Sequence, residues 1–171
     1  MVRTVTLEER AREVLAEVMD PEIPAVSIVD LGMVERIEET DDVLEVDLLP
    51  TFVGCPAIDV IRDDAEAALR EAAGGREVRV RMVFDPPWTT DRITDRGREG
   101  LRSYGISPHW EGGPPKPAGP VPVSLLRVSN VTCPYCGSRE TVQDTPWGPT
   151  PCRAVHYCRS CRNPFEGFKE K

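Results

Sequence analysis

Four of the six cysteines in this chain stand in two Cys-x-x-Cys units, Cys133-Pro-Tyr-Cys136 and Cys158-Arg-Ser-Cys161, with 21 residues between them. Each unit can close a tight turn whose two sulfurs face one point. Two such turns supply the four tetrahedral thiolates that zinc prefers. The gap is a little longer than the usual ~15–20 residues, and a longer hairpin absorbs the difference. Gly137 directly after the first unit suits the left-handed backbone such a turn needs. An iron–sulfur cluster could use the same four thiolates, and a pair of redox dithiols or disulfides is the remaining alternative. Cys152 and His156 are spare donors in the same stretch. His156, two residues before Cys158 in an extended pattern, reads as a surface histidine, and Cys152 as packing or an extra ligand.

Cys55 stands apart, in Thr51-Phe52-Val53-Gly54-Cys55-Pro56. Proline favours the first helical position, which would put Cys55 at an N-cap. There the helix dipole and free amides would favour a thiolate. Gly54 would let a partner approach the backbone closely. A small buried cysteine acting as apolar filler fits the position equally well.

The elements that must hold these cysteines follow from pattern. Thr6 and Glu9 form a capping box, and Leu7, Ala11, Val14, Leu15 and Val18 recur at helical spacing. Two prolines in DPEIPAVSIVDLGMV stop that helix. Residues 33–39 and 43–49 flank Thr40-Asp41-Asp42 and read as a β-hairpin. Residues 56–73 carry Ile58, Ile61, Ala65, Ala68, Leu69 and Ala72 on one stripe, and Gly74-Gly75 ends this second helix. EVRVRMVF at 77–84 alternates as a third strand, and 91–104 reads as one or two short helices closed by Gly105. The order α-β-β-α-β-α predicts an α+β fold, a small α/β sandwich whose three-stranded sheet is covered on one face by helices. Residues 107–123 hold six prolines and three glycines and read as an extended linker. The expected organisation is therefore a domain over 1–106, a linker over 107–123 and a zinc-ribbon module over 124–171. So small a module has little core of its own, so a metal would supply much of its folding free energy.

Charge narrows the function classes. The chain of 171 residues carries a net charge of −8. Residues 124–171 hold 7 Lys+Arg against 4 Asp+Glu, whereas residues 1–123 hold 14 against 25. An acidic body repels phosphate backbones, so nucleic acid is not an expected partner. No run of ~18 apolar residues exists to span a membrane. The charged, helix-patterned start lacks the apolar core of a secretory signal. A cytoplasmic location is expected, where thiols stay reduced and paired cysteines point to metal. There is no phosphate-binding glycine loop, dinucleotide fingerprint or histidine-based hydrolase motif, and neither His109 nor His156 is placed to serve Cys55 as a base. A thiol enzyme therefore lacks its parts. Asp20, Glu22 and Asp30 read as turn and cap residues, Arg96, Arg98 and Arg102 as a solvated helix face, and Trp88 and Trp110 as packing groups.

Three segments carry a resemblance. DPEIPAVSIVDLGMV, TFVGCPA and VFDPPWTTDRITDRGREGLRSYGI are similar to the domain shared by bacterial SufT proteins and eukaryotic cytosolic iron–sulfur targeting factors. The tail CPYCGSRETVQDTPWGPTPCRAVHYCRSCRNPFEGFK resembles the zinc-ribbon extension of the PaaD-like proteins of the phenylacetyl-CoA epoxidase system. The resemblance covers nearly the whole chain except the linker. It implies a non-catalytic accessory factor that matures or maintains an iron–sulfur cluster in aerobic phenylacetate catabolism, with the iron–sulfur reductase component as partner. A scaffold for the same complex is the alternative. It further implies that Cys55 is the cysteine that touches cluster iron transiently, with Thr51, Asp30 and Glu22 shaping its loop, and a homodimer would bring two copies of Cys55 together. On the same basis Cys133, Cys136, Cys158 and Cys161 are structural zinc ligands and Cys152 belongs to the tail pattern. Residues 146–151, PWGPTP, depart from a Phe-Gly-Ser-Thr-like run, which puts a hydroxyl role there in doubt.

Overall fold

The computed structural model describes residues 6–108, 128–129 and 131–169. The chain divides into two compact units, Met1–Gly97 and Arg98–Lys171. Most of the Pro/Gly-rich linker expected over 107–123, with His109 and Trp110, lies outside the described residues.

The first unit opens with helix α1 (Leu7–Leu15), capped as its sequence dictates. The Thr6 hydroxyl accepts the Glu9 amide at 3.1 Å, and the Glu9 carboxylate accepts the Thr6 amide at 3.0 Å. The proline-bearing stretch that follows is a short hairpin, β1 (Met19–Asp20) with β2 (Ile23–Ser27). Its turn is held by Asp20, whose Oδ1 accepts the amides of Glu22 and Ile23 at 2.8 and 2.9 Å. This is the local side-chain capping by which aspartate favours turns.

Strands β3 (Val34–Glu39) and β4 (Val43–Leu48) form the expected hairpin, and β5 (Glu77–Met82) adds parallel to β4 after helix α2 (Ile58–Ala72). The sheet order is β3-β4-β5. One sheet face buries Val34, Ile37, Leu44, Val46, Leu48 and Val80. Helix α2 lies against β5 and α1, and α1 also reaches β3. The α2 residues Ile61, Ala65, Leu69 and Ala72 are buried at helical spacing, as the stripe predicts. Ile37 falls three residues after Val34, out of strict alternation, because the β3–β4 register slips between Val34 and Arg36. Asp47 on the opposite face is covered by Arg36 and Arg81, whose guanidiniums reach its carboxylate at 2.8 and 2.9 Å. The segment after β5 contains a 3₁₀ turn at Thr90–Arg92 and helix α3 (Asp95–Ser103), the two short helical pieces expected over 91–104.

The second unit is a five-stranded sheet in the order β6-β10-β9-β8-β7, comprising β6 (Ile106–Ser107), β7 (Val128–Ser129), β8 (Thr141–Thr145), β9 (Arg153–Cys158) and β10 (Pro164–Phe168). All pairs are antiparallel except β6 with β10. The sheet thus draws an edge strand from upstream of the Pro/Gly-rich segment. Its small core joins Val131 and Phe165 to the sulfurs of Cys133 and Cys158. Among the described residues no helix is long and apolar enough to cross a membrane.

Candidate functional site

Register decides where the front-unit candidates gather. β3 starts opposite the end of β4, at the Val34–Leu48 pair, and β4 and β5 end together at Leu48–Met82. The segment before β3, the loop after β4 and the segment after β5 therefore share one end of the sheet. They carry Asp30, Thr51 with Cys55, and residues 83–97 respectively. Backbone bonds tie them together. The Leu49 amide donates to the Met33 carbonyl at 2.7 Å, and the Val83 amide to the Leu48 carbonyl at 2.8 Å.

Asp30 is the fastening point of this end. Its carboxylate accepts from the Ser27 hydroxyl at 3.0 Å, the Thr94 hydroxyl at 2.7 Å and Arg96 Nε at 2.7 Å. Its carbonyl accepts the Thr94 amide at 2.9 Å. Two glycines make the close approach possible: a Cβ on Gly97 would lie 2.4 Å from the Asp30 carbonyl oxygen, and one on Gly32, at φ +68°, would lie 2.3 Å from that of Arg92. Trp88 closes the same region, buried and donating from Nε1 to the Leu31 carbonyl at 2.8 Å. Its reading as a packing group holds, and Arg96, 72% exposed as a solvated helix face requires, also clasps Asp30 through its Nε.

Cys55 does not cap a helix. α2 begins at Ile58 with Ala57 at the cap, and no side chain satisfies that cap. The Cys55 amide donates to Phe52 O at 3.1 Å and its carbonyl accepts the Ile58 amide at 3.4 Å, so residues 52–58 run through successive turns first. Proline at 56 is spent inside those turns, which is why the N-cap expectation fails. Cys55, Thr51 and Glu22 are all half-buried. Among the described residues Cys55, Asp30 and Glu22 do not converge into a ligand cluster; the one group of three or more His, Cys, Asp or Glu donors is Cys133, Cys136, Cys158 and Cys161.

Those four cysteines sit on two copies of one backbone loop. In the first, the Gly137 amide donates to Cys133 O at 3.0 Å and the Cys133 amide to Ser138 O at 2.9 Å. In the second, Arg162 donates to Cys158 O at 2.9 Å and Cys158 to Asn163 O at 3.0 Å. The residue after each second cysteine is left-handed, Gly137 at φ 71° and Arg162 at φ 61°. Ser138 and Ser160 join the loops through their hydroxyls at 2.7 Å.

All four sulfurs lie within 4.8 Å of one another. Cys133 and Cys161 are 3.7 Å apart, and Cys136 and Cys158 3.6 Å. A tetrahedron with metal–sulfur bonds of about 2.3 Å has edges of about 3.8 Å, so the donor set fits a tetrahedral metal ion. The spacing is far beyond a bonded disulfide, and none of the six cysteines forms a disulfide. Burial pushes the Cys133 thiol up to about 12. Burial acts the same way on Cys158, but the Cys161 amide and the Cys136 and Cys161 thiols outweigh it and bring that thiol down to about 7. A metal must displace the remaining protons, so loading is coupled to proton release.

The two spare donors lie elsewhere. Cys152 is buried in the turn just before β9, outside the four-sulfur group, with the Thr150 hydroxyl 3.1 Å from its sulfur. That hydroxyl also accepts Arg153 Nε at 2.8 Å. Thr150, within PWGPTP, thus places a hydroxyl beside Cys152, and no spacing rule in the sequence singles it out. His156 is not a surface residue: it is 2% exposed and stacked on Phe165 with ring centroids 5.4 Å apart. Burial lowers its pKa to about 4, so the ring is neutral near pH 7.

Comparisons with known proteins meet this geometry in both units. A family model described as iron-sulfur cluster assembly protein matches residues 8–82, and one described as PaaD zinc beta ribbon domain matches residues 118–169. An Escherichia coli (strain K12) protein named as a component of 1,2-phenylacetyl-CoA epoxidase is 40% identical over 158 residues, covering 91% of this chain and 88% of its own. The chain belongs to the PaaD-like family. The front part of this PaaD-like chain also stands alone in other proteins. The Bacillus subtilis (strain 168) Fe-S protein maturation auxiliary factor YitW is 34% identical over 52% of this chain and 86% of its own. A solved domain of unknown function from Bacillus anthracis, 28% identical, superposes with a TM-score of 0.52 over 56% of this chain and 91% of that one.

Proposed function

We propose that this PaaD-like chain is a non-catalytic accessory factor that matures or maintains the iron–sulfur cluster of a phenylacetyl-CoA epoxidase system, with the iron–sulfur reductase component as its client. The observation that carries the reading is the union of a maturation-factor domain with a PaaD ribbon in one chain. Cys55 acts as the transient thiolate for iron or a cluster, on a half-buried loop at the shared end of the sheet. Thr51 and Glu22 shape its surroundings, and Asp30 holds the neighbouring segment in place. A lone thiolate leaves iron coordination positions open, and a second copy of Cys55 in a homodimer, or a client ligand, fills them. Cys133, Cys136, Cys158 and Cys161 hold structural zinc, and the ribbon docks the client.

The test is metal and acid-labile sulfide content after purification without oxygen, for the wild type and Cys55→Ala, together with the cluster content of the client. Uptake of iron and sulfide by the wild type alone, with zinc in both, supports the reading. If neither form holds iron with a cluster donor present, and the client keeps its cluster with either, maturation is wrong.

One observation favours a second reading, in which the chain only scaffolds the complex. Cys55, Asp30 and Glu22 form no ligand cluster, and Asp30 is already engaged by Ser27, Thr94 and Arg96. Complex assembly that survives Cys55→Ala with full client cluster content supports that reading.

A further inference from the structure

Exposed apolar side chains gather at the end of the first unit that carries Cys55. Strands β4 and β5 are parallel and joined through α2, so α2 runs back along the sheet and opens where both strands finish. Val53, in the loop after β4, is 65% exposed; Val60, in the first turn of α2, is 48% exposed; and Phe84, two residues after β5, is 52% exposed. Among the described residues of this unit the other exposed large hydrophobic is Met19, in β1. Single apolar residues on a surface are ordinary, whereas several grouped within a polar rim mark a contact site. The rim here is acidic. Residues 50–64 and 83–91 hold five aspartates, all exposed, and one arginine. That arginine, Arg62, is shared between Asp59 and Asp63 at 2.9 Å from each. Two copies meeting through this face would set its carboxylates against their own counterparts, and like charges across an interface exclude a partner. A surface with lysine or arginine around an apolar centre complements it in both respects.

We propose that this face docks a segment of another protein whose apolar side chains are flanked by lysine or arginine, and not a second copy of the chain. Val53, Val60 and Phe84 take the apolar centre, and the aspartates around them take the flanking cations. The inference deepens the proposed function, resting on that reading only for the partner being the client. It gives the client a contact beside Cys55 in addition to the ribbon, and it makes the client rather than a second Cys55 the source of further iron ligands there. Peptide binding tests the surface without any iron or sulfide measurement, so the docking and the maturation role can fail separately.

The zinc-loaded full chain is titrated at constant ionic strength with three synthetic peptides. One has a leucine–phenylalanine centre flanked by lysines, one has the same centre flanked by glutamates, and one has a serine centre flanked by lysines. Nitrogen–proton spectra follow the backbone amides. Saturable shifts at Val53, Val60 and Phe84 are expected with the first peptide. Each of the other two should bind about tenfold or more weaker. The first peptide should lose a similar factor in V53S/F84S, whose zinc content and thermal unfolding stay as in the wild type. No binding by the first peptide, shifts centred away from this end of the sheet, or equal binding of the serine-centred peptide overturns the proposal. So does a wild type that dimerises with rising concentration while V53S/F84S stays monomeric, because the occupant is then a second copy. If V53S/F84S does not fold, D59N/D63N/D85N removes three exposed charges and keeps the apolar centre, and undiminished affinity for the first peptide in that variant counts against the proposal.

Discussion

Arg96 Nε donates to Asp30 Oδ2 at 2.7 Å, joining side chains 66 residues apart in sequence. The same carboxylate takes hydrogen bonds from Ser27 and Thr94, so one buried aspartate joins the turn before β3 to the segment after β5. Removing it leaves two hydroxyls and a guanidinium without their acceptor. Asp30→Ala is expected to lower stability by about 2–4 kcal/mol, read as a fall in the urea midpoint. Arg96→Ala removes only the solvent-facing partner and is expected to cost about 1 kcal/mol. Equal losses in the two variants would mean that the hydroxyl contacts contribute nothing.

The two cysteine loops differ at one telling position. Gly137 takes a left-handed backbone without steric cost, while Arg162 takes it against the clash of its own Cβ. Arg162→Gly is expected to stabilise the metal-loaded chain by about 1 kcal/mol, and Gly137→Ala to destabilise it by a similar amount. Thermal unfolding of both variants at saturating zinc tests the pair, and a destabilised Arg162→Gly would refute the account.

Metal removal should act on one unit. A chelator, or Cys133→Ser with Cys158→Ser, is expected to abolish binding of one equivalent of zinc and to unfold the ribbon sheet, whose small core includes two of the ligand sulfurs. The helices of residues 7–72 should persist. Amide exchange measured before and after chelation checks this, and simultaneous loss of protection in α2 would show that the first unit depends on the metal.

Acid should weaken the first unit through Asp47. Burial pushes its pKa up, but the hydrogen bonds from Arg81 and Arg36 outweigh that and hold the carboxyl below its ordinary value. A depressed carboxylate stabilises the fold above its unfolded pKa, about 3.9, and the contribution is lost as pH falls through the lower folded value. Urea midpoints should therefore drop below about pH 4, with a shallower acid limb in Asp47→Asn. Superimposable profiles would remove Asp47 from the account.

Much of this architecture is legible because it rests on local rules. The Thr6–Glu9 box, the α2 stripe, the β3–β4 hairpin and the paired Cys-x-x-Cys units each depend on residues close in sequence. What escapes depends on distant partners. The β1–β2 hairpin escapes although Asp20 reads as a turn residue, because Pro21 and Pro24 argue against strands on either side of it. Asp30 stands out in the sequence as a cap residue, yet its bonds to Thr94 and Arg96 arise only when β3 and β5 bring their flanks to one end of the sheet. Cys55 loses its cap because Pro56 serves a turn instead of a first helical residue, and proline's fixed φ suits both. His156 reads as a surface residue from its place two before Cys158, but residues two apart in a strand share a face, so β9 buries it on the same side as Cys158 and stacks it on Phe165. Thr150 gives no signal of its own, because its role follows from Cys152, whose type suggests packing or a metal ligand before a hydrogen-bond partner.

The metal site also acts as a removable cross-link. Holding Cys136 and Cys158 together closes a ring that runs out along β8, around the tip at 146–152 and back along β9. Closing such a ring removes freedom from the unfolded chain, as a disulfide would, to the extent of about 3 kcal/mol for a loop of this size. The dependence on ring size is logarithmic, so doubling the length costs only about 0.6 kcal/mol more. Around Trp147, which stands 78% exposed, the tip can therefore change length with little penalty to metal retention, whereas Gly148, where an added Cβ would lie 2.5 Å from the Arg153 carbonyl oxygen, and the buried Cys152 fix its base. Variation should collect around Trp147, and the two cysteine loops should tolerate almost none.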